Sequence, residues 1–294
     1  MSTITEHQVP ANGLEVNVAI AGQGPAVLLL HGFPHTWRLW AHVIPRLARD
    51  HRVIAPDLRG LGATSRPKQG YDAGTLAADA EALLDALGEP SAAVAGIDLG
   101  AAPAFLLAMR RPERVRRLVL MEAVLGALPG AEGFAAPWWF GFHAVPGLAE
   151  TVVAGHEAEY IGWFLDLGTR ADGVPPEVRA SFLEAYSGSG ALRSAFEHYR
   201  AFPETGRQII EAAEGARLRV PTLAVGAHPV GDALERQLRP IADDLTGQVI
   251  PDCGHLVPLD RPDTLLPLLG DFFGGRLGRS ASDPGRIADP AARV

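Results

Sequence analysis

A short apolar run followed by two closely spaced glycines constrains the fold of this 294-residue chain most strongly. The run 92–95 leads into Gly96-Ile97-Asp98-Leu99-Gly100, and a helix-forming segment, 101–110, follows directly. A strand that turns sharply into a helix crowds any Cβ atom near the turn, which favours glycine on both sides of the tip. The segment therefore predicts a strained strand-to-helix corner with Asp98 at its tip.

The tip of such a corner is a typical place for an enzymatic nucleophile, and here the tip is a carboxylate. Attack by a carboxylate on an acyl carbon would give an anhydride. Attack on a saturated carbon gives an alkyl ester, which water can later cleave. We therefore expect substrates with an epoxide ring or a carbon–halogen bond, and not ordinary esters or amides.

Other short apolar runs alternate with helical patterns along the chain. The runs are 26–30, 52–55, 118–121, 222–225 and 248–250, and the helical patterns are 75–87, 101–110 and 263–273. Short apolar runs between helices are typical of buried parallel strands. The pattern predicts the α/β class, with a mostly parallel, doubly wound sheet whose functional groups lie at the carboxyl ends of the strands.

The middle of the chain changes to helical runs broken by Pro and Gly. It holds three of the five tryptophans and three of the four tyrosines. We expect a core domain at 1–122 and 217–275, an inserted helical cap at 123–216 and a disordered tail at 276–294. The cap would close over Asp98 and exclude water from the reacting carbon.

Composition narrows the class of partner. The net charge is −8 with scattered arginines, and no apolar stretch approaches the roughly 18 residues that a membrane helix needs. We expect a small-molecule substrate, no nucleic acid and no membrane. The start of the chain lacks a secretory signal, which predicts a cytoplasmic protein. The oligomeric state stays open, with a homodimer among the options.

The cysteine and histidine content predicts a site without a metal or another cofactor. A single cysteine, Cys253, excludes an internal disulfide and a cysteine-based metal cluster. The ten histidines show no closely spaced ligand pattern. We expect Cys253 itself to be a small buried residue.

Five motifs occur in the order of a known family, across about residues 10–275. They are His31-Gly32-Phe33-Pro34, the stretch 55–62, the segment 96–100, the stretch 111–115 and Gly254-His255. With them the chain resembles the α/β-hydrolase fold family, in the branch of the soluble epoxide hydrolases and the haloalkane and fluoroacetate dehalogenases. The same architecture also hosts proteins without hydrolytic activity, so a binding protein stays an alternative.

The resemblance implies a catalytic triad. Asp98 matches the nucleophile, and His255 matches the general base, because an ordinary histidine pKa near 6.5 suits proton transfer at neutral pH. Either Glu122 or Asp232 would orient His255. We favour Glu122 because it directly follows a strand, whereas Asp232 lies several residues into a loop.

The resemblance also implies an oxyanion hole. The backbone amides of Phe33 and Leu99 would stabilise the tetrahedral species that forms when water attacks the aspartyl ester. By the same resemblance, Pro34 would follow a cis peptide bond. The neighbouring residues His31 and His35 are expected to be structural.

Hydrogen-bond donors in the cap decide between an epoxide and a halide. An opening epoxide leaves an alkoxide that needs a proton, whereas a halide needs only hydrogen bonds. Epoxide hydrolases of this family aim two tyrosines, or a histidine and a tyrosine, at the oxygen. Tyr199 matches the later donor, and we place Trp139 at the earlier one, with His143 one helical turn away as the alternative. Trp138 is expected to join them in binding substrate.

Two absences weigh against a halide. Leu99 has no side-chain donor, where haloalkane dehalogenases place a tryptophan. The first arginine after Asp98 is Arg110, at the far end of the following helix, so the anchor for a haloacid carboxylate is missing. The sequence predicts an epoxide hydrolase acting through a covalent ester on a bulky aromatic or secondary-metabolite epoxide. A dehalogenase and a non-hydrolytic binding protein are the alternatives.

Overall fold

An eight-stranded sheet with helices on both faces organises the chain in a computed structural model, which describes residues 3–126, 128–170 and 173–277. The sheet order is β1-β2-β4-β3-β5-β6-β7-β8. The pairs β1–β2 and β2–β4 are antiparallel, and the other pairs are parallel, which confirms the predicted sheet. The strands are β1 (Thr5–Ala11), β2 (Leu14–Ala21), β3 (Ala26–Leu30), β4 (Arg52–Pro56), β5 (Ala92–Ile97), β6 (Val115–Met121), β7 (Thr222–Gly226) and β8 (Leu245–Val249).

Twelve α-helices lie in the described parts of the chain, none of them long and apolar enough to span a membrane. The predicted disordered tail, 276–294, falls outside the described residues from 278 onward. The helices are α1 (Ile44–Leu47), α2 (Ala73–Ala86), α3 (Ala101–Arg110), α4 (Trp138–Ala144), α5 (Leu148–Val153), α6 (Glu157–Leu167), α7 (Pro176–Ala185), α8 (Ser189–Arg200), α9 (Phe202–Ala213), α10 (Ala233–Leu238), α11 (Val257–Asp260) and α12 (Pro262–Phe273).

The candidate site lies at the ends of the central strands β3 and β5. Every residue of β3 and β5 is buried, because helices cover both faces of these parallel strands and reward continuous apolar sequence. Both strands end at the same edge of the sheet, where the loop 31–36 and the turn at Asp98 lie side by side.

The sequence did not predict the strands β1 and β2. β1 pairs with β2 along its whole length at the edge of the sheet. Most residues of β1 are exposed, so its sequence carries no apolar run that would mark a strand. The last strand was predicted at 248–250. In the structure, β8 begins three residues earlier, at Leu245, and ends at Val249.

Six helices, α4 to α9, lie between β6 and β7 in the chain, within the stretch predicted to be a cap, and are here called the cap. Helix α9 is fastened to the start of α2 by hydrogen bonds from the amides of Ala73 and Gly74 to the side chains of Thr205 and Gln208, at 3.0 and 2.7 Å. The Phe33 ring meets the cap in edge contacts with five rings: His143, Phe164, Tyr186, Phe196 and Tyr199. These helices therefore pack against the loop that borders Asp98.

Candidate active site

Asp98 stands at a strained corner between β5 and α3, with a φ of +54° in the left-handed region. A Cβ atom on Gly96 would lie 2.3 Å from the Gly100 carbonyl oxygen, and one on Gly100 would lie 2.5 Å from the His31 carbonyl oxygen. Only glycine tolerates such approaches. The corner predicted from the two glycines is confirmed.

Two backbone amides hold the Asp98 carboxylate. The Phe33 amide donates to Oδ1 at 2.8 Å, and the Leu99 amide also donates to the carboxylate. A Cβ atom on Gly32 would lie 2.0 Å from the same Oδ1, so this loop approaches Asp98 only because residue 32 is glycine. The Phe33–Pro34 peptide bond is cis, as the resemblance implied.

His31 fixes this loop from behind. Its Nδ1 donates to the Gly32 carbonyl at 2.7 Å, and its Nε2 accepts the Leu58 amide at 3.0 Å. These bonds define the tautomer and agree with the expected structural role. His35 is also buried, and neither of its ring nitrogens has a partner among the described residues.

His255 lies between two carboxylates. Its Nε2 is 3.1 Å from Asp98 Oδ2, and its Nδ1 is 3.1 Å from Glu122 Oε2. Glu122 is fully buried after β6, and its other oxygen accepts the Ala227 amide at 2.5 Å. The Asp98 and His255 side chains stay 22% and 23% exposed, so a small molecule has access to both.

Asp232 lies elsewhere. Its carboxylate pairs with Arg236 one helical turn later, and both side chains are more than half exposed. The structure therefore brings Glu122, and not Asp232, to His255.

The electrostatics around His255 favour an ion pair between Asp98 and His255. Burial opposes a charge on Asp98, but the hydrogen bond and charge of His255 hold the pKa of this carboxyl below its ordinary value. Burial likewise opposes the imidazolium of His255. The hydrogen bonds and charges of Asp98 and Glu122 outweigh it and raise the pKa of His255 to about 10. His255 is therefore protonated at neutral pH until Asp98 loses its charge.

A third carboxylate, that of Asp260, holds the loop of His255. Asp260 Oδ2 accepts the Gly254 amide at 2.6 Å, and the Asp260 carboxylate also accepts the Arg170 amide from the cap. Cys253 beside them is buried, as expected, and burial raises the pKa of its thiol to about 12. The thiol is therefore unreactive at neutral pH.

Tyr199 and His143 meet in the cap. Their ring centroids lie 4.4 Å apart in an edge contact, and both rings touch Phe33. Burial, followed by the nearby charge of Asp98, raises the pKa of Tyr199 well above its ordinary value, so its hydroxyl keeps its proton. Burial and then Arg200 lower the pKa of His143 to about 3, which leaves a neutral imidazole.

The two tryptophans lie farther out. Trp139 contacts the rings of Trp138, Phe140, Trp163 and Phe164 and, among the described residues, makes no ring contact with Tyr199. Trp138 is 59% exposed and contacts Trp139, Phe142 and Trp163. Of the predicted donors, His143 is the one that lies beside Tyr199.

One contact of the site was not foreseen from sequence. The Tyr160 hydroxyl lies 2.5 Å from His143 Nε2. Tyr160 is one of many aromatic residues in the cap and belongs to no motif, so no sequence signal marked it. In the described ranges, no group of three or more His, Cys, Asp or Glu side chains is arranged to hold a metal ion.

Comparison with known proteins shows similarity along nearly the whole chain. The model of a family with the alpha/beta hydrolase fold matches residues 25–262. A soluble epoxide hydrolase of Corynebacterium sp. (strain C12) is 31% identical over 285 residues, which cover 93% of this chain and 99% of that protein. The solved structure of the epoxide hydrolase CorEH without ligand is 30% identical, with a TM-score of 0.85 over 93% of this chain and 100% of that chain. A fluoroacetate dehalogenase of Burkholderia sp. is 27% identical over 227 residues, covering 73% and 75% of the two chains.

Proposed function

The chain belongs to the α/β-hydrolase fold family and is a hydrolase, and on that premise we propose that it opens epoxides through a covalent ester of Asp98. The observation that carries the proposal is the carboxylate at the tip of the corner, held by two amides and paired with His255. A carboxylate in this position attacks saturated carbon. The similarity to epoxide hydrolases supports an epoxide as the source of that carbon.

In the first half-reaction, Asp98 Oδ2 attacks an epoxide carbon and the carbon–oxygen bond of the ring breaks. Oδ1 stays with the Phe33 amide and becomes the carbonyl oxygen of the ester. The leaving oxygen takes the hydroxyl proton of Tyr199, assisted by a hydrogen bond from His143. Because His143 is neutral, it donates a hydrogen bond and does not act as an imidazolium acid.

In the second half-reaction, His255 changes from the protonated to the neutral form. The ester carries no negative charge, so the hydrogen bond and charge of Asp98 that raised the pKa of His255 are lost. His255 gives up its proton, which by way of solvent restores the Tyr199 hydroxyl, and then takes a proton from the water that attacks the Asp98 Cγ. The Phe33 and Leu99 amides stabilise the oxyanion, and Glu122 stabilises the imidazolium. Collapse of the tetrahedral species breaks the bond between Cγ and the ester oxygen, and this oxygen takes the proton of the new Asp98 carboxyl group, which releases a vicinal diol and restores the carboxylate beside protonated His255.

The aromatic cap supports a large substrate. Aromatic rings of the cap pack against Phe33, whose amide binds Asp98, and aromatic surroundings favour planar aromatic compounds. We propose a bulky aromatic epoxide, of the kind found among secondary metabolites, and action in the cytoplasm. Trp138 and Trp139 would bind parts of the substrate that reach toward the cap surface.

A dehalogenase is the second candidate, favoured by the similarity to the fluoroacetate dehalogenase. The Tyr199→Phe variant separates the two. We expect it to slow ester formation from an aryl epoxide about a hundredfold, because only the epoxide oxygen needs a proton. Displacement of halide from the matching haloalkane, where it occurs, should not change. Rapid-quench intact mass of the ester, with product analysis for diol and halide, measures both.

Tyr71→Phe is the matched control, since it also removes one tyrosine hydroxyl, which there donates to the Pro67 carbonyl at 2.6 Å. The wild-type protein should convert the epoxide to diol. Halide release without diol formation would make it a dehalogenase, and no ester with either substrate would favour a binding protein.

The orienting acid is tested by a pair of conservative variants. Glu122→Gln should slow hydrolysis of the ester about a hundredfold or more, because the imidazolium of His255 loses its buried counter-charge. Asp232→Asn should leave hydrolysis unchanged, since Asp232 pairs with Arg236 at the surface. Single-turnover decay of the ester gives both rates, and a slow decay in Asp232→Asn alone would reverse the assignment.

A further inference from the structure

The side chain of His143 contacts two other helices of the cap. Tyr160 on α6 contacts His143 on α4 at 2.5 Å, and the His143 ring stacks on Phe196 of α8 with a centroid distance of 4.3 Å. The His143 ring also makes an edge contact with the ring of Tyr199, another residue of α8. His143 is fully buried, so the position of its ring is set by these neighbours.

The two nitrogens of His143 have different surroundings. Nε2 faces the Tyr160 hydroxyl, whereas Nδ1 is buried and has no hydrogen-bond partner among the described residues. A neutral imidazole carries one proton, so one nitrogen donates and the other accepts. If Nε2 held that proton, a bare Nδ1 could give no hydrogen bond to a substrate oxygen.

We propose that Tyr160 donates its hydroxyl to His143 Nε2 and thereby keeps the ring proton on Nδ1, as a hydrogen-bond donor reserved for the leaving oxygen of the substrate. Tyr160 is a positioning residue in this scheme, and its role rests on the function proposed above. Burial raises the pKa of Tyr160, which agrees with a hydroxyl that stays protonated and donates.

The unpartnered Nδ1 supports this assignment. A buried N–H without an acceptor costs free energy, so it persists where function requires it. An alkoxide that develops beside Tyr199 would be the missing acceptor, and catalytic hydrogen bonds often close only when substrate is bound. The phenyl rings of Phe33, Phe164 and Phe196, which contact the His143 ring, carry no oxygen or nitrogen acceptor.

The tautomer is measured directly by NMR. In protein labelled with ¹⁵N-histidine, long-range proton–nitrogen spectra distinguish the protonated ring nitrogen from the bare one, and the His143 signals are assigned by their loss in His143→Phe. We expect wild-type His143 to be protonated at Nδ1. Tyr160→Phe should show both tautomers, and Tyr71→Phe should keep the wild-type spectrum. Wild-type His143 protonated at Nε2 would overturn the proposal.

The kinetic consequence is tested on ester formation. Tyr160→Phe should slow it about tenfold and leave ester hydrolysis unchanged. Adding Tyr160→Phe to His143→Phe should change the rate of ester formation by less than about twofold, because Tyr160 acts through His143. An equal slowing in both backgrounds would overturn the positioning role. A His143→Phe variant with wild-type ester formation would instead remove His143 from the proposed mechanism.

Discussion

Asp98→Ala should lose epoxide turnover, with kcat falling about 10⁴-fold or more, and should form no ester with the substrate. The carboxylate is the attacking group in this mechanism, and the alanine side chain has no nucleophilic atom that could replace it. The same variant removes the hydrogen bond and charge that raise the pKa of His255. We therefore also expect this pKa to fall below about 10, as measured by NMR titration.

Asp232→Ala is the matched control, since it removes an exposed carboxylate and should leave both turnover and the pKa of His255 unchanged. Thermal unfolding of Asp98→Ala separates lost chemistry from lost structure. Substantial diol formation by a folded Asp98→Ala protein would show that water attacks the epoxide directly.

His255→Gln should accumulate the ester. Glutamine cannot accept a proton from water, so hydrolysis of the ester should slow about 10²- to 10⁴-fold, while attack by Asp98 continues. Intact mass after addition of an aryl epoxide should show one substrate added per chain, located on the peptide that contains Asp98. A His255→Gln protein that turns over without a visible adduct would contradict the two-step route.

In the wild-type protein, ester formation and ester hydrolysis should depend differently on pH. Asp98 has a lowered pKa and stays ionised in mildly acidic solution, so ester formation should change little as the pH falls. Ester hydrolysis needs neutral His255, whose pKa has dropped once Asp98 is esterified. Hydrolysis should therefore slow as the pH falls through the His255 pKa of the ester, and the ester should accumulate at acid pH. Acid-quenched single turnovers measure both rates, and ester formation that slows in parallel with hydrolysis would contradict this difference.

The fold was largely predictable because its core signals are local. The runs that became β3 to β7 are continuous and apolar, which is the pattern that two-sided burial demands. The glycines at 96 and 100 marked the corner, since their positions follow from backbone crowding alone. β1 escaped prediction because its stability comes from pairing with β2 and not from its own sequence.

Sheet topology makes a site residue predictable where it directly follows a strand. Glu122 follows β6, so its position beside His255 follows from sheet topology. The cap offers no such rule. Trp139 and His143 lie one helical turn apart on α4, and the choice between them depends on how α4 packs against α8. The Tyr160 contact joins α4 to α6 through a single hydroxyl, which no pattern in the chain records.

The central claim, that Asp98 forms an ester and supplies the new oxygen of the product, is tested most directly by one turnover in H₂¹⁸O with enzyme in excess over epoxide. The diol from this first turnover should contain no ¹⁸O, because its new oxygen comes from the Asp98 carboxylate, and the label should appear in the Asp98 peptide. A diol that carries ¹⁸O after one turnover, with an unlabelled Asp98, would contradict the covalent mechanism.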